Sequence, residues 1–266
     1  MEVDSVFLKG SSHLVCEDYT RVLRKIFGGV VAVVSDGCSA SPHTDFGARL
    51  IACSAANLVG AKTEKPMADE EFWRSVAKQA AELASDSCMS VECIDATALV
   101  LLWHEDKVSV GAMGDGWVCA LHRNGALDMW HISEEHSLPG YPSYLLNTGN
   151  RKALREVSKH KTISHYTLIE GELFMTEEQV DPLKPFTVEF HKAGTASVAV
   201  LSDGANSFTY PGGNIMPPMV AVVELMDFKQ YKGEFVKRRV LSVTKKWRKM
   251  GIGHYDDLSM AAIYMG

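Results

Sequence analysis

Three aspartates stand directly before a glycine at the end of a short apolar segment: Asp36, Asp115 and Asp203. Two of these segments, VVAVV and ASVAVL, have no polar alternation and are typical of strands buried on both faces. A carboxylate at the exit of a buried strand is costly unless it is paired or binds a cation. A further pair, Asp256 and Asp257, precedes the apolar segment LSMAAIYM. We therefore predict that these carboxylates meet in space and hold divalent metal.

The predicted metal is Mg²⁺ or Mn²⁺ rather than zinc. Carboxylate oxygens are hard ligands, and no set of histidine and cysteine ligands accompanies these aspartates. Cys88 and Cys93 could join His104 in a zinc site, but their spacing fits no common zinc pattern. The chain has six cysteines and no CxxC pair, which favours reduced thiols.

A hairpin turn is the alternative explanation for each Asp-Gly pair, because this dipeptide suits tight turns between antiparallel strands. The alternative works for Asp115, since the strand-like segment of residues 117–123 follows at once. It works poorly for Asp36 and Asp203, which are followed by the polar stretches CSASPHTD and ANSFTYPGG. The sequence leaves Asp115 as the least secure member of the acidic set.

Strand-like segments outnumber helical ones, and the helices come in pairs instead of alternating with strands. A doubly wound parallel sheet is therefore disfavoured. We predict an α+β fold, with two stacked and mostly antiparallel sheets flanked by helix pairs, in a single domain of residues 1–266. The segment of residues 133–161 reads as irregular or briefly helical. Helices are predicted from Thr44 or Ser41 and at residues 69–87, 216–226 and 235–249; strands are predicted at 5–9 and 14–20, as a first pair, and at 30–34, 97–103, 108–113, 117–123, 126–131, 162–169, 172–175, 188–191, 197–201 and 258–265.

Composition excludes several classes of protein. The net charge is −6 and the pI is near 5.9, with no long Lys/Arg tract, which argues against nucleic acid or an anionic membrane as partner. The N-terminus has no basic region before a long apolar segment, and no apolar run reaches membrane-spanning length, so we expect a cytoplasmic protein. The histidines of the middle region, which lie at no ligand spacing, are predicted as surface or interstrand residues: His104, His122, His131 and His136.

These motifs resemble the metal-dependent Ser/Thr protein phosphatases, the PPM or type 2C family, in its bacterial form. The resemblance covers nearly the whole chain, and the motifs follow the family's order. They are Glu17-Asp18, Ser35-Asp36-Gly37, Asp95-Ala96-Thr97-Ala98, Gly114-Asp115, Ser202-Asp203-Gly204 and Asp256-Asp257. The resemblance implies a four-layer αββα sandwich.

The resemblance also implies roles for single residues. Asp36 would bridge two metal ions and Gly37 would lend its backbone carbonyl. Asp203 and Asp256 would complete the shell of one ion, and Glu17 with Asp18 would hold metal-bound waters. Asp115 would help to bind a third, weaker ion, and Asp257 would orient the backbone or a water.

Two positions depart from the family pattern. An Arg that grips the substrate phosphate usually stands where this chain has His13. A protonated His could hold phosphate without the two-pronged geometry of Arg, or His13 could simply bond a loop carbonyl; the sequence leaves both open. Cys38 follows the first Asp-Gly where some relatives have a His, so protonation of the leaving group is expected to fall to water.

The function that the resemblance implies is hydrolysis of phosphoserine or phosphothreonine in proteins by a metal-activated water. The expected partners are a phosphoprotein substrate and a Ser/Thr kinase, with no nucleic acid or membrane, and the expected state is a monomer. A catalytically weak phosphatase-like module that binds a partner is one alternative, favoured by His13. A hydrolase of small phosphoesters with the same fold is the other.

Overall fold

Two antiparallel β-sheets lie face to face in the structure, a computed structural model that describes residues 1–24, 29–61, 66–134 and 138–266. His136 lies outside the described residues. The strands are β1 (Glu2–Leu8), β2 (Asp18–Arg24), β3 (Val30–Asp36), β4 (Ala98–His104), β5 (Lys107–Met113), β6 (Gly116–His122), β7 (Leu127–Glu134), β8 (Lys161–Ile169), β9 (Glu172–Val180), β10 (Phe186–His191), β11 (Thr195–Leu201), β12 (Phe208–Thr209), β13 (Gly253–His254) and β14 (Leu258–Tyr264).

The smaller of the two sheets has five strands in the order β10-β5-β4-β3-β2. Its central strand β3 is buried on both faces, as its unbroken apolar sequence predicts. Val31 and Val33 pack toward a pair of helices, while Ala32 and Val34 pack between the sheets. The period of two along the strand thus places alternate side chains in two separate cores.

The helix pair over this sheet consists of α1 (Thr44–Ala61) and α2 (Glu70–Asp86). Asp69 caps α2, because its side chain accepts a hydrogen bond from the Glu71 backbone N–H at 3.0 Å. Phe72, Val76 and Ala80 recur at helical spacing and are fully or almost fully buried against the sheet side. The predicted helix over residues 69–87 is confirmed.

The larger sheet has seven strands in the order β1-β14-β11-β6-β7-β8-β9. Helices α4 (Pro218–Met226) and α5 (Phe235–Lys249) pack on its outer face, with Leu225, Val240 and Trp247 in the shared core. The layers therefore run helix, sheet, sheet, helix, and the predicted sandwich is confirmed. None of the helices in the described ranges is long and apolar enough to cross a lipid bilayer.

One expectation about strand pairing is wrong, and one alternative that the sequence left open is excluded. β1 pairs with β14, whereas β2 pairs with β3 in the other sheet, so the first two strands are not neighbours. The turn at Asp115 is no hairpin either, because β5 pairs with β4 and β10, and β6 pairs with β11 and β7. This turn carries the chain from one sheet to the other between Gly114 (φ +95°) and Gly116 (φ +131°). Asp-Gly favours a tight turn whether the turn joins paired strands or strands of different sheets, so the local sequence could not distinguish a hairpin from a crossing between sheets.

The segment of residues 133–161 is more regular than its sequence indicates. It contains the ten-residue helix α3 (Thr148–Val157), which follows a 3₁₀ turn at Pro142–Leu146. Asn147 caps α3 by accepting hydrogen bonds from the backbone N–H groups of Gly149 and Asn150. Only Leu154 of this helix is buried, so its apolar signal in the sequence was weak.

The functional strand ends gather at one end of the sandwich because neighbouring strands run antiparallel. The end of β3 lies beside the start of β2, where Asp36 and Asp18 are register partners. The ends of β11 and β1 lie beside the start of β14, through the pairs Leu201↔Met260 and Leu8↔Leu258. Polar residues that follow or precede these strands therefore converge on one region.

Candidate active site

A cleft of about 460 Å³ opens at this end of the sandwich. Its lining includes four of the predicted carboxylates, which the sequence places in four different segments: Asp36, Asp115, Asp203 and Asp256. Gly37 and Cys38 also line it. The expectation that the acidic residues meet in space is confirmed for these four.

Asp36 sits at the centre of the acidic set, and the strand pairing fixes its backbone. Its N–H donates to Thr97 Oγ1 at 3.0 Å, and its carbonyl accepts from the Thr97 N–H at 2.8 Å. Asp18 lies directly across from it on β2. A side chain at Gly37 would collide with Thr44, since a Cβ there would stand 2.1 Å from the Thr44 Oγ1 atom. The Asp-Gly pair at this point thus reflects close packing, not a hairpin.

Asp18 is buried behind the cleft and is held by Ser202. The Ser202 hydroxyl donates to Asp18 Oδ2 at 2.8 Å and accepts from the Ser259 backbone N–H at 2.9 Å. This relay joins the end of β11 and the start of β14 to the start of β2. The sequence analysis noted Ser202 only as part of a motif and gave it no role, because its partner lies 184 residues away along the chain.

Three carboxyl groups of this set have raised pKa values, those of Asp18, Asp36 and Asp256. Burial raises the pKa of Asp18 to about 7, and the charge of Asp203 adds to the effect. Burial and the charges of Asp18 and Asp203 raise the pKa of Asp36 well above its usual range. Asp256, also desolvated and close to Asp203, has a pKa raised to about 6. Like charges crowded in a low-dielectric site disfavour ionisation unless a cation lies between them.

Two oxygens of this set lack hydrogen-bond partners. Asp18 Oδ1 and Asp203 Oδ1 are buried, and neither has a hydrogen-bond partner in the part of the chain that the structure describes. Unpaired buried carboxylate oxygens are costly, and a divalent cation with hard-oxygen preference would satisfy them. Within the described ranges no three His, Cys, Asp or Glu side chains are arranged as a ready metal shell. The oxygen donors and their charge suit a divalent ion, although the described side chains do not enclose one in their present arrangement.

Asp257 organises the N-terminal loop beside the cleft. Its Oδ1 accepts from the Gly10 N–H at 2.6 Å, and its Oδ2 accepts from the Glu17 N–H at 2.5 Å. The side chain is almost fully buried, so these charge-assisted bonds are shielded from water. Of the two roles expected for Asp257, the structure shows the orientation of backbone.

His13 lies on this loop and contacts carboxylates, not a loop carbonyl. Its Nδ1 is 2.9 Å from Asp257 Oδ2, and its Nε2 is 3.6 Å from Asp256 Oδ1. Burial alone would lower the pKa of His13, but the neighbouring carboxylates outweigh burial and raise it. Glu17 lies 3.9 Å away through its Oε2 atom, which also accepts from the Ser39 hydroxyl at 2.5 Å. His13 is therefore placed at the edge of the acidic set.

Asp115 faces the cleft from the turn between the sheets. Burial raises the pKa of Asp115 well above its usual range, and the charges of Asp203 and Glu134 act in the same direction. Lys161 opposes them. The Lys161 side chain is fully buried, and its Nζ has no hydrogen-bond partner among the residues described. Asp115 thus belongs to the same electrostatic cluster as the other aspartates.

A neutral histidine that the sequence analysis placed on the surface or between strands also lines the cleft. His131 stacks on Trp117, with ring centroids 4.3 Å apart, and burial lowers the pKa of His131 to about 4. Trp117 Nε1–H donates to Asn206 Oδ1 at 2.8 Å, which leaves the Asn206 amide to donate to His131 Nε2 at 3.3 Å. The ring proton of His131 therefore sits on Nδ1.

The end of β7 and the segment after it supply further lining residues that the sequence did not single out. Glu134 and Tyr141 line the cleft, and burial raises the pKa of Glu134 to about 7. The Oε2 atom of Glu134 has no hydrogen-bond partner within the described ranges, which break off after this residue and resume at residue 138. No periodic pattern marks this segment, so only its position after the end of β7 could have indicated a role.

The stability of the metal-free protein is expected to fall as pH rises from about 4 to about 7. Between these values the folded state keeps a proton on Asp18 and on Glu134, whose pKa values are raised to about 7, while the unfolded state has lost both protons. Each such group removes about 1.4 kcal/mol of unfolding free energy per pH unit in this range, and its effect levels off above its folded-state pKa. His131, whose pKa is lowered to about 4, gives the opposite slope up to about pH 6.5 and so offsets the contribution of one such carboxyl group.

Urea unfolding at several pH values, in the presence of chelator, measures this slope. Added Mn²⁺ should flatten it, because a cation favours the charged carboxylates in the folded state. Asp18→Asn should also reduce the slope. A metal-free protein that becomes more stable between these pH values would contradict the assignment of protonated carboxyls.

The comparisons with known proteins agree with this geometry. The sequence matches the family described as Protein phosphatase 2C over residues 10–232. A bacterial serine phosphatase has a similar structure (TM-score 0.62, 11% identity, 100% of this chain and 98% of that chain), as does the serine/threonine phosphatase Stp1 from Staphylococcus aureus (TM-score 0.61, 11% identity, 99% and 95%). A sex determining protein of C. elegans is also similar (TM-score 0.53, 16% identity, 99% and 64%).

These structural likenesses, at low identity, concern the fold. The comparison with curated proteins returned no match. The family match covers most of the chain and includes Glu17, Asp36, Asp115 and Asp203, although it ends before Asp256. On this match, the chain belongs to the protein phosphatase 2C family.

Proposed function

We propose that this chain is a Mg²⁺- or Mn²⁺-dependent phosphatase that hydrolyses phosphoserine and phosphothreonine in proteins. The observation that carries the proposal is the cluster of Asp18, Asp36 and Asp203: burial and the charge of Asp203 raise the pKa of both Asp18 and Asp36, and two buried oxygens of the cluster are unpaired among the residues described. Such a group is poorly explained by folding stability alone. Divalent ions bound there would supply an activated water and offset the charge of a phosphate.

We assign the ion-holding role to Asp36, the Gly37 carbonyl, Asp203 and Asp256, with Asp115 for a third ion. Ser202 and Asp257 position residues around this site. Ser202 fixes the orientation of Asp18 through its 2.8 Å hydrogen bond. Asp257 holds the loop that carries His13 and Glu17 against the acidic set.

The direct test is turnover of p-nitrophenyl phosphate and of phosphoserine and phosphothreonine peptides with Mn²⁺, with and without chelator. Turnover of the peptides that chelator abolishes is the expected result. Turnover of the small ester alone would favour a small-phosphoester hydrolase. Binding of a phosphopeptide without turnover would favour a catalytically weak binding module.

His13 is the observation behind the binding-module alternative, because both of its ring nitrogens face carboxylates. We assign it nevertheless to the substrate phosphate, since it lies at the edge of the acidic set. His13→Gln should raise KM roughly tenfold and change kcat little, because a charge-assisted bond is lost. His191→Gln, at an exposed histidine on β10, is the matched control. An unchanged KM would remove His13 from the phosphate site.

Leu14 distinguishes a protein substrate from a small ester. It follows His13 directly and is 98% exposed, and its neighbour Val15 is 53% exposed, so two adjacent apolar residues stand in solvent beside the acidic set. If it contacts the peptide around the phosphorylated residue, Leu14→Ser should raise KM for phosphopeptides about tenfold and leave KM for p-nitrophenyl phosphate unchanged. Leu241→Ser, on the exposed side of α5, is the control. Equal effects on both substrates would reject this contact.

A further inference from the structure

We propose that the edge strand β9 is a docking site for an extended, basic segment of a partner protein, which adds to the seven-stranded sheet as an eighth strand. The proposal concerns a surface of the hairpin formed by β8 and β9, which none of the assigned site residues belongs to. It does not depend on the proposed function.

The first argument is the exposure of β9 (Glu172–Val180). Among the described residues it is the last strand of the sheet and pairs with β8 alone, and eight of its nine residues are exposed, so no described segment covers either face. The other edge strands of the two large sheets, β1, β2 and β10, each have buried or half-buried residues along most of their length. An uncovered edge presents unpaired backbone N–H and C=O groups to any extended chain.

The second argument is that large apolar side chains are concentrated there. Ile169, Leu173, Phe174 and Met175 are 41%, 44%, 55% and 58% exposed, and all four lie within seven residues around the hairpin turn. These side chains flank the outer edge on both faces, with Phe174 on one face and Leu173 and Met175 on the other, so a chain added there would contact apolar side chains on either face. Charged side chains on an edge strand can serve to prevent aggregation, but that purpose does not require an exposed aromatic side chain such as Phe174.

The third argument is charge, which identifies the occupant. Residues 162–180 contain Glu170, Glu172, Glu177 and Glu178 and no Lys or Arg, in a chain whose net charge is −6. Two copies of β9 paired with each other would bring six strand glutamates together, which like-charge repulsion disfavours. A basic segment is therefore the complementary partner.

The register of side chains defines the pattern that such a segment needs. Glu172, Phe174 and Glu178 share one face of β9, whereas Leu173, Met175 and Glu177 share the other. Cross-strand neighbours interact directly, so the residues of the segment should complement residues 172–178 one by one. The matching segment has a basic residue opposite Glu172, three apolar residues opposite 173–175, any residue opposite 176, and two basic residues opposite 177–178. Either chain direction satisfies this pattern, since β9 is free along its whole outer side.

The test uses synthetic fluorescent peptides with this pattern, made of lysines and β-branched apolar residues in both chain directions, and measures binding by anisotropy. Binding that weakens as salt is raised is the expected result. A peptide of the same sequence with N-methylated backbone amides separates strand addition from simple charge attraction. It should fail to bind, because it cannot donate backbone hydrogen bonds to the edge.

Charge reversal supplies the matched variants. The double variant Glu172→Lys with Glu178→Lys should weaken binding of the lysine peptide by about tenfold or more. Glu82→Lys with Asp86→Lys makes the same change of net charge on the exposed side of α2 and should leave binding unchanged. The thermal unfolding midpoint and far-UV circular dichroism of the β9 variant should match those of the unaltered protein, which shows that it is folded.

Three results would overturn the proposal. One is that neither peptide direction binds at roughly millimolar concentration. Another is that the N-methylated peptide binds as well as its parent, which would reduce the effect to charge attraction. The third is self-association of the unaltered chain that the β9 variant alters, which would assign the edge to a second copy instead.

Discussion

Replacing Asp36 or Asp203 with Asn is expected to lower kcat/KM with Mn²⁺ about a thousandfold, a loss of about 4 kcal/mol of transition-state stabilisation. The same variants should unfold, without metal, at or above the temperature of the unaltered protein. Both expectations rest on one feature, the crowding of carboxyl groups at the cleft. A residue kept only for stability would not give this pair of opposite effects.

The stability part follows from the pKa of Asp36, which burial and the charges of Asp18 and Asp203 raise. An Asn amide keeps the shape of the side chain, carries no charge and donates hydrogen bonds, so it relieves the repulsion and can pair a neighbouring oxygen. Asp203 Oδ1, which has no hydrogen-bond partner in the structure, is such an oxygen.

Differential scanning calorimetry with chelator and kinetics with Mn²⁺ measure the two parts on the same preparations. Asp86→Asn, an exposed aspartate at the end of α2, is the matched control and should change neither. Near-normal turnover of either Asp36→Asn or Asp203→Asn in Mn²⁺ would show that the acidic set is not the metal site. A large loss of stability would show instead that the charge is needed for folding.

The sequence predicts those parts of the site that depend on a strand and the residue after it. Val31 and Val33 alternate with Ala32 and Val34 between two cores, and this burial identifies the strand that delivers Asp36. Antiparallel neighbours end where the next strand begins, so acidic residues at strand ends were expected to meet. The cleft contains them for this reason.

The sequence does not predict contacts that depend on which strands are neighbours in a sheet. The hydrogen bond from Ser202 to Asp18 requires that the end of β11 lie beside the start of β2, although the two strands belong to different sheets. The pairing of β1 with β14 likewise brings the N-terminal loop to Asp257. Local propensity carries no information about such partners, because hydrophobic alternation is the same for any neighbour.

Asp115 is a residue whose position after a strand the sequence predicts, but whose neighbours depend on which strands pair. Its Asp-Gly pair suits a hairpin, and the sequence analysis kept that alternative open, but the turn joins strands of different sheets and places the carboxylate in the cleft. A residue needed only for a turn has no reason to face Asp203, whose charge helps to raise the pKa of Asp115 after burial. These observations favour a role for Asp115 in ion binding over a role in a hairpin turn.

Asp115→Asn is expected to lower kcat about a hundredfold while the two stronger ions still bind, because Asp36, Asp203 and Asp256 are unchanged. Calorimetric titration with Mn²⁺ should show the loss of one weak site, and thermal unfolding should be close to normal. Asp106→Asn, in the exposed turn between β4 and β5, is the matched control.

The result that would contradict this prediction has a clear physical meaning. Lys161 is fully buried, and its Nζ has no hydrogen-bond partner in the part of the chain described; its charge already opposes the repulsion around Asp115. If Asp115→Asn keeps both its turnover and its Mn²⁺ stoichiometry, the lysine ammonium, not an ion, balances this carboxylate. Lys161→Met should then add a Mn²⁺ site that the unaltered protein lacks, because the uncompensated carboxylate would attract a cation in its place.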